Sequence, residues 1–543
     1  MDELYKTLLS SLYDENCLEK QYSKIYKIHK YWARKPWFIV EKYIKEHSKI
    51  NDVVMDPFCG SGVTGAEAIV NGRNFIGQDL NPMSILVTQG TLLNNINFED
   101  LKEDFKKIQD ACQNKIQSLY YVDSFCPSCG AQMVWKHLRT GPKFKNSYTG
   151  VIYCPYCNSK ATNYSATPKD IERIESNYKI DTPYWFPTTK FPKKFYKDRF
   201  SYKGISCVAD MYTPRNLYAL SLIYNEIQKI QNKDNRLLLL LAFTNTVLHV
   251  SKLKGENVRP LGVNNYWIPD DHIEENVWFR YVERVKLVCA AKEMQQQRYK
   301  KEKKSNKLFK CGSWQVEKKS ALESMGKECV DYYFTDPPYG EAIQYSELSF
   351  IWNAWLKEEY DNKEEIIINP VQKKNENDFE NLLKKSLQNI YIALKKEKYF
   401  TLCFQNKSFG VWKPIIEHCK SLGFSLVDVS IYNTYGNSFN KLWAHFSPKS
   451  DIYVTFQKKE ACPEYFYDKK ETIADIIKNI YIYTQKNHIS TDNNKLYDFV
   501  VSYLIWSLYY NKADITLKSF TLEKFISMAN EAINPTSPQL KLF

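Results

Sequence analysis

Two short loops, far apart in the chain, constrain this sequence more than any other feature. The first is Asp56-Pro57-Phe58-Cys59-Gly60-Ser61-Gly62-Val63-Thr64-Gly65, which directly follows the apolar stretch 52–55. The second is Thr335-Asp336-Pro337-Pro338-Tyr339-Gly340, directly after the strand-like run Asp331–Phe334. Proline fixes its own φ and glycine frees the backbone, so each loop makes a rigid, protruding turn at a strand's end. A helical pattern follows the first loop, and a second short strand, NFIGQDL at 74–80, follows that helix. Strand, loop, helix and strand make half of a βαβ unit, and ligands bind beyond the carboxyl ends of such strands. The pattern therefore predicts an α/β fold on a mainly parallel sheet.

The second half of that sheet comes late. After DYYFTDPPYG the sequence predicts an amphipathic helix near 378–396, a strand at 399–405, a helix at 411–424 and strands at 425–432 and 451–457. A long insertion, about 95–310, separates the halves. Within it, 98–120 reads as a helix, 122–162 carries two Cys-x-x-Cys pairs, and 214–254 reads as two helices separated by Asn232–Asn235. Residues 291–308 read as a charged, solvated stretch, and 1–48 as polar-aromatic and helical, with HKYWARKPW at 29–37. The predicted organisation is an N-terminal helix and cofactor-binding half at 1–95, an insertion at 96–310, a catalytic half at 311–460 and a C-terminal helical segment at 461–543.

The glycines of the first loop spell GxGxxG, which lets backbone approach a ligand without a Cβ clash. Asp79 ends the next strand, 19 residues after Gly60. A carboxylate there can accept both ribose hydroxyls of an adenosine-bearing cofactor. Asp56 favours S-adenosylmethionine over a dinucleotide, because a carboxylate at the strand tip attracts an ammonium and repels a pyrophosphate. Pro57 and Phe58 add an apolar face, and Asn81-Pro82 turns the chain after the second strand. The candidate cofactor-binding residues are Asp56, Pro57, Phe58, Gly60, Gly62, Asp79 and Asn81.

The second loop suits chemistry on an exocyclic amino group. Asp336 and the Pro337 carbonyl can accept the two amino hydrogens of an extruded base, which draws the nitrogen toward sp³ and aims its lone pair at a methyl donor. Pro338 adds no competing N–H, and Tyr339 offers a stacking face. The candidate catalytic residues are Asp336, Pro337, Pro338 and Tyr339.

Cys126-Pro-Ser-Cys129 and Cys154-Pro-Tyr-Cys157 stand 24 residues apart. Two such knuckles complete a tetrahedral site at Zn–S distances of ~2.3 Å, and four sulfurs leave no open position, so the predicted Zn2+ is structural. Lys136, His137, Arg139, Lys143 and Lys145 lie between the knuckles, where they could meet phosphates or form an ordinary solvated hairpin. The net charge of +13 permits a polyanionic partner, although only 11 of the 75 basic residues are arginine and none follows Arg298. The most apolar stretch, 237–243, falls far short of the ~20 residues of a spanning helix. No signal-peptide pattern opens the chain, so a cytoplasmic location without membrane contact is expected.

Together DPFCGSGVTG, GQDLNP and DPPYG resemble the amino-group DNA methyltransferases, which make N6-methyladenine or N4-methylcytosine. HKYWARKPW is similar to that family's upstream cofactor motif. MYTPRNLYAL at 211–220, EAIQYSELSFIWNAWL at 341–356 and the paired cysteines resemble a zinc-ribbon subgroup of bacterial and archaeal DNA methylases. The resemblance spans about residues 22–458 and is strong at the motifs. It implies a Rossmann-like, S-adenosylmethionine-dependent methyltransferase sheet with a long zinc-ribbon and helical insertion. It implies a DNA substrate, target recognition within the insertion, and a restriction endonuclease or other defence-system protein as partner. Two positions depart from the family: Ser320 stands where an acid usually meets the cofactor's adenine, and FQNKS at 404–408 replaces a loop that often carries histidines. Methylation of tRNA and a catalytically silent zinc-ribbon DNA-binding subunit are the alternatives. Cytosine C5 chemistry is excluded, since no Pro-Cys nucleophile stands in a base-site loop.

Overall fold

The computed structural model describes residues 21–145, 147–196, 204–257, 259–261, 266–305, 310–406, 409–433, 450–459, 471–487, 493–510 and 521–533. The helix expected across the first 20 residues, the end of the FQNKS loop and the proline-containing tail lie outside these ranges.

Twelve strands occur among the described residues: β1 (Val53–Asp56), β2 (Asn74–Asp79), β3 (Tyr121–Phe125), β4 (Gln132–Thr140), β5 (Thr149–Tyr153), β6 (Lys160–Ser165), β7 (His272–Glu275), β8 (Trp314–Lys318), β9 (Val330–Thr335), β10 (Leu394–Phe404), β11 (Phe424–Asn433) and β12 (Ser450–Lys458). Seven of them form one mixed sheet in the order β11-β12-β10-β9-β1-β2-β8. All its neighbouring pairs run parallel except those of β12, which is antiparallel to both β10 and β11. Every residue of β9 is buried, as expected of a parallel strand covered on both faces. The chain crosses from β1 to β2 on one side and from β9 to β10 on the other. The strand order therefore reverses between β1 and β9, where a crevice opens in sheets of this kind.

Local chemistry sets the helix starts. Asn81 caps helix 82–92 by accepting the Met83 N–H, with Pro82 at the first helical position. Thr213-Pro214 does the same for helix 214–228, and an Asn375–Asp378 capping box opens helix 376–393. Helices 37–47 and 63–70 cover one sheet face, where Tyr43, Ile44 and Ile69 are buried with Val54 and Phe334. On the other face, helices 376–393, 409–422, 473–486 and 493–509 pack around Phe400, Trp412 and Phe456. Each such side chain contributes roughly 1.5–3 kcal/mol on burial.

The insertion builds a second sheet, in which β4 pairs with β3, β5 and β7, and a core that it shares with Trp32, Met83 and Leu86 of the N-terminal half. Helices 98–118, 214–228, 233–247 and 277–305 form that core, and Trp352 and Trp355, which lie after the second loop, pack into it.

Two expectations need correction. The stretch from 291 is solvated only in part: it continues the 29-residue helix Val277–Ser305, in which Ala291, Lys292, Gln295 and Arg298 are buried while Lys300, Lys301, Lys303 and Lys304 are exposed. Each buried cation is matched by acceptors. Lys292 Nζ donates to the carbonyls of Thr91 (3.0 Å) and Leu93 (2.8 Å), and Arg298 makes two bonds to Glu67, at 2.7 and 2.6 Å. Nor is the 29–36 stretch helical. Ala33 sits at φ 51°, and Pro36 disfavours a helical residue before it, so the helix starts only at Trp37.

Candidate active site and cysteine cluster

The two motif loops lie at the carboxyl ends of β1 and β9, the adjacent central strands. A bond ties them together: Thr335 Oγ1 donates to Asp56 Oδ1 at 3.2 Å. The pocket above them is open to solvent and is lined by residues of both loops.

Asp56, Pro57, Phe58, Gly60, Asp79, Asp336 and Pro338 of the predicted set line it. Gly62, Asn81, Pro337 and Tyr339 do not. Gly62 shapes the turn at φ 79°, and the Asn81 side-chain oxygen is occupied by the Met83 N–H (3.1 Å) and Asn353 Nδ2 (3.2 Å). Gly60 sits at φ 52°, and a Cβ there would come within 3.0 Å of the Tyr31 ring, so the glycine keeps the loop and Tyr31 in contact. Ser320 lies just beyond the tip of β8, the strand next to β2, and lines the same pocket.

Asp79 binds the glycine loop directly. Its Oδ2 accepts the Gly60 N–H at 3.0 Å and its Oδ1 accepts the Asn81 N–H at 2.9 Å. Ser84 adds a side-chain hydrogen bond to this carboxylate. Asp56 accepts from the Phe58 N–H (3.0 Å) and from Thr64 Oγ1 (2.8 Å). Burial pushes Asp56 up to about 7 and Asp79 up to about 6. The lining carries five carboxylates (Asp56, Asp79, Asp336, Glu364 and Glu365) against two cationic side chains, Arg34 and Lys35. A pocket so charged favours a cationic ligand and disfavours a pyrophosphate. These residues fit S-adenosylmethionine.

Four further features complete the pocket beyond the predicted catalytic and cofactor-binding residues. Lys35 Nζ stands 3.3 Å from Asp336 Oδ2, 3.0 Å from Asp451 Oδ2 and 2.5 Å from the Tyr339 hydroxyl. The Tyr339 hydroxyl donates to Asp336 Oδ1, and its ring meets Phe404 edge-on at 5.2 Å. Tyr31 and Tyr345 stack at 6.3 Å on the pocket wall. Tyr360 and Glu365 line it from the loop before helix 376–393, with Glu365 accepting from the Ser346 N–H at 2.9 Å. The Arg-Lys-Pro sequence was the only signal for Lys35, and it could not identify Asp451 as a partner. Farther along the segment after the second loop, Trp352 is buried and donates to the Thr244 carbonyl at 2.9 Å.

In the insertion, the Sγ atoms of Cys126, Cys129, Cys154 and Cys157 all lie within 4.8 Å of one another. The separations are 3.3 Å for Cys126–Cys157, 3.5 Å for Cys129–Cys154 and 3.8 Å for Cys129–Cys157. Tetrahedral Zn–S bonds of ~2.3 Å place sulfurs roughly 3.8 Å apart, so the four are compatible with zinc. The two knuckles match: Gly130 and Asn158, one residue past each pair, both adopt positive φ and donate back to the carbonyls of Cys126 and Cys154. Between them, Arg139 is paired with Glu256 at 2.6 Å, and Lys136 lies over the Phe279 ring at 4.6 Å.

A family model described as DNA methylase, of the N6/N4 type, matches residues 5–89. The chain is 23% identical over 238 residues to the Type II methyltransferase M.MjaII of Methanocaldococcus jannaschii, covering 43% of this chain and 41% of that one. It is 54% identical over 45 residues to the Type II methyltransferase M.HinfI of Haemophilus influenzae, covering 8% and 12% of the two chains. It is 46% identical over 49 residues to the DNA adenine methyltransferase YhdJ of Escherichia coli, covering 9% and 17%. The matched segments thus span less than half the length of each of these relatives.

Proposed function

We propose that this chain, which belongs to the amino-group DNA methyltransferase family, transfers a methyl group from S-adenosylmethionine to the exocyclic amino group of a flipped DNA base, with N6 of adenine favoured over N4 of cytosine. The observation that carries this reading is the meeting of Asp56, Asp79 and Asp336 around one pocket, although a long insertion separates the first two from the third. When bound, S-adenosylmethionine supplies an electrophilic methyl group. Asp79 would hold the ribose, Asp56 and its neighbouring acids would face the ammonium, and Ser320 would stand beside the adenine.

Asp336 and the Pro337 carbonyl accept the two amino hydrogens of the extruded base. That draws the nitrogen lone pair out of ring conjugation and directs it into the pocket. Asp336 then receives the proton that the nitrogen loses. Adenine is favoured because its amino group is poorly nucleophilic and gains most from a charged acceptor, which aspartate supplies.

The four cysteines hold a structural zinc, and the insertion that contains them reads the target sequence. A restriction-modification or phage-defence role, with a partner endonuclease, is the setting that the Type II relatives support.

The test is nucleoside mass spectrometry of DNA incubated with the protein and labelled methyl donor, beside a tRNA control. Labelled N6-methyladenine in DNA is expected. N4-methylcytosine would overturn the base choice alone; 5-methylcytosine, or label in tRNA only, would overturn the reading. Asp336→Ala should lower the rate on the order of 10²–10³-fold, with cofactor binding retained.

A further inference from the structure

Lys35 joins the second loop to β12 through three contacts. Its Nζ meets Asp336, Asp451 and Tyr339, and its side chain is only 6% exposed, as is that of Asp451. The Tyr339 hydroxyl accepts from Lys35 and donates to Asp336, so its hydrogen-bonding direction is set. Asp451 opens the sequence of β12 after Ser450, beside β10, and reaches the site from a strand that no motif marks.

We propose that Lys35 and Asp451 are positioning residues for Asp336: the ammonium fixes the Asp336 carboxylate and the Tyr339 hydroxyl in one geometry, while Asp451 cancels the ammonium's charge. The proposal rests on Asp336 being the acceptor for the base amino group.

Charge counting gives the reason for a pair rather than a lone lysine. Two carboxylates and one ammonium leave one net negative charge, directed at the pocket where a cationic donor would sit. A lone buried lysine would neutralise Asp336 and leave no net negative charge facing a cationic donor. Burial drives Asp336 up to about 6, and Lys35 is the strongest influence opposing that rise. Asp451, also beside Lys35, pushes Asp336 the other way. Tyr339, Cys403 and Tyr453 share this pocket of charge, and Asp56 and Tyr345 face Asp336 from the cofactor side.

Opposite signs follow for the two variants. Removing the cation in Lys35→Met favours protonated Asp336, so the acid limb of the pH–rate profile moves up. Removing the second carboxylate in Asp451→Asn leaves Lys35 wholly to Asp336, so the limb moves down. A purely structural role would move neither limb, or both in the same direction.

The experiment is the DNA methylation rate between pH 5 and 9 for wild type, Lys35→Met, Lys35→Arg and Asp451→Asn. Calorimetric binding of S-adenosylhomocysteine serves as the check that each variant is folded. Lys35→Met should lose on the order of 10²-fold at pH 7 and recover part of it toward pH 9. Lys35→Arg should keep the wild-type limb, and Asp451→Asn should lose on the order of tenfold with the limb lowered. If Lys35→Met fails to bind S-adenosylhomocysteine, the direction of the Asp451→Asn shift decides. Unmoved limbs in variants of an active enzyme, or an upward shift in Asp451→Asn, overturn the proposal. A wild type that methylates no DNA overturns the reading of function instead, and the proposal with it.

Discussion

Arg215 in the insertion and Lys35 beside the sheet are both buried cations, yet their surroundings differ in kind. Arg215 forms a two-armed pair with Glu274, at 2.7 and 2.8 Å, and both side chains are 1% exposed. Glu274 also accepts from Thr213 Oγ1 at 2.5 Å and from the Tyr178 hydroxyl at 2.7 Å. The guanidinium lies over the Tyr120 and Tyr178 rings. Burial alone would raise Glu274, but Arg215 overcomes it and holds the carboxyl below its ordinary range. One charge meets one charge, and the carboxylate's remaining bonding capacity is filled by neighbours. Around Lys35 the count is uneven, and Asp336, Asp79 and Asp56 all sit above the usual carboxylate range. Balanced buried charge fixes a fold, whereas a surplus of one sign directed into a cavity is a site waiting for a ligand.

The comparison is tested most severely at the cysteines. If the insertion is stabilised as a closed unit, Cys154→Ser should release the metal and unfold β4 to β6, because structural zinc is worth roughly 10–16 kcal/mol in small domains. Metal analysis should give one zinc per chain for wild type and none for the variant. S-adenosylhomocysteine should still bind, since the pocket is built from the other sheet. A metal-free, fully folded wild type would sink the idea.

A smaller effect is expected from Arg215→Met. It leaves the buried Glu274 without its cationic partner, which costs about 3–5 kcal/mol. The denaturant midpoint should fall accordingly while affinity for S-adenosylhomocysteine holds. An unchanged midpoint would mean that the pair contributes nothing to the fold.

These contrasts also mark what the sequence could and could not tell. The loops at Asp56 and Asp336 were legible because proline and glycine act locally, and because a strand's end is where such loops belong. The expected strands at 425–432 and 451–457 match β11 and β12 to within a residue, since buried strands read as apolar runs, whereas β10 begins five residues before the expected 399 because its opening stretch, Lys395–Lys398, is charged. The face of helix 277–305 that buries Lys292 and Arg298 was not legible: composition shows charge, but not the carbonyls of Thr91 and Leu93 or the carboxylate of Glu67 that receive it. The partners of Lys35 were hidden for the same reason. They lie on β12 and in the loop after β9, and only the folded sheet brings them to one point.

The smallest predicted effect concerns Asp79, and it separates a ligand contact from a loop anchor. Each of its oxygens already holds a backbone N–H, of Gly60 or Asn81, and Ser84 adds a side-chain bond. Asp79→Ala removes both duties, so S-adenosylhomocysteine binding should weaken by ~1–3 kcal/mol. Asp79→Asn keeps one acceptor oxygen for the loop but turns the other position into a donor and removes the charge. If Asp79 serves mainly the ligand, the two variants should weaken binding alike, because ribose hydroxyls lose a charged acceptor in both. If it serves mainly the loop, Asn should bind nearly as tightly as wild type and Ala should not. Calorimetry at one pH well above 6 keeps the wild-type carboxylate ionised, as its raised value of about 6 requires. Wild-type affinity in Asp79→Ala would remove the cofactor from this corner of the pocket, and the surplus charge there would need another explanation.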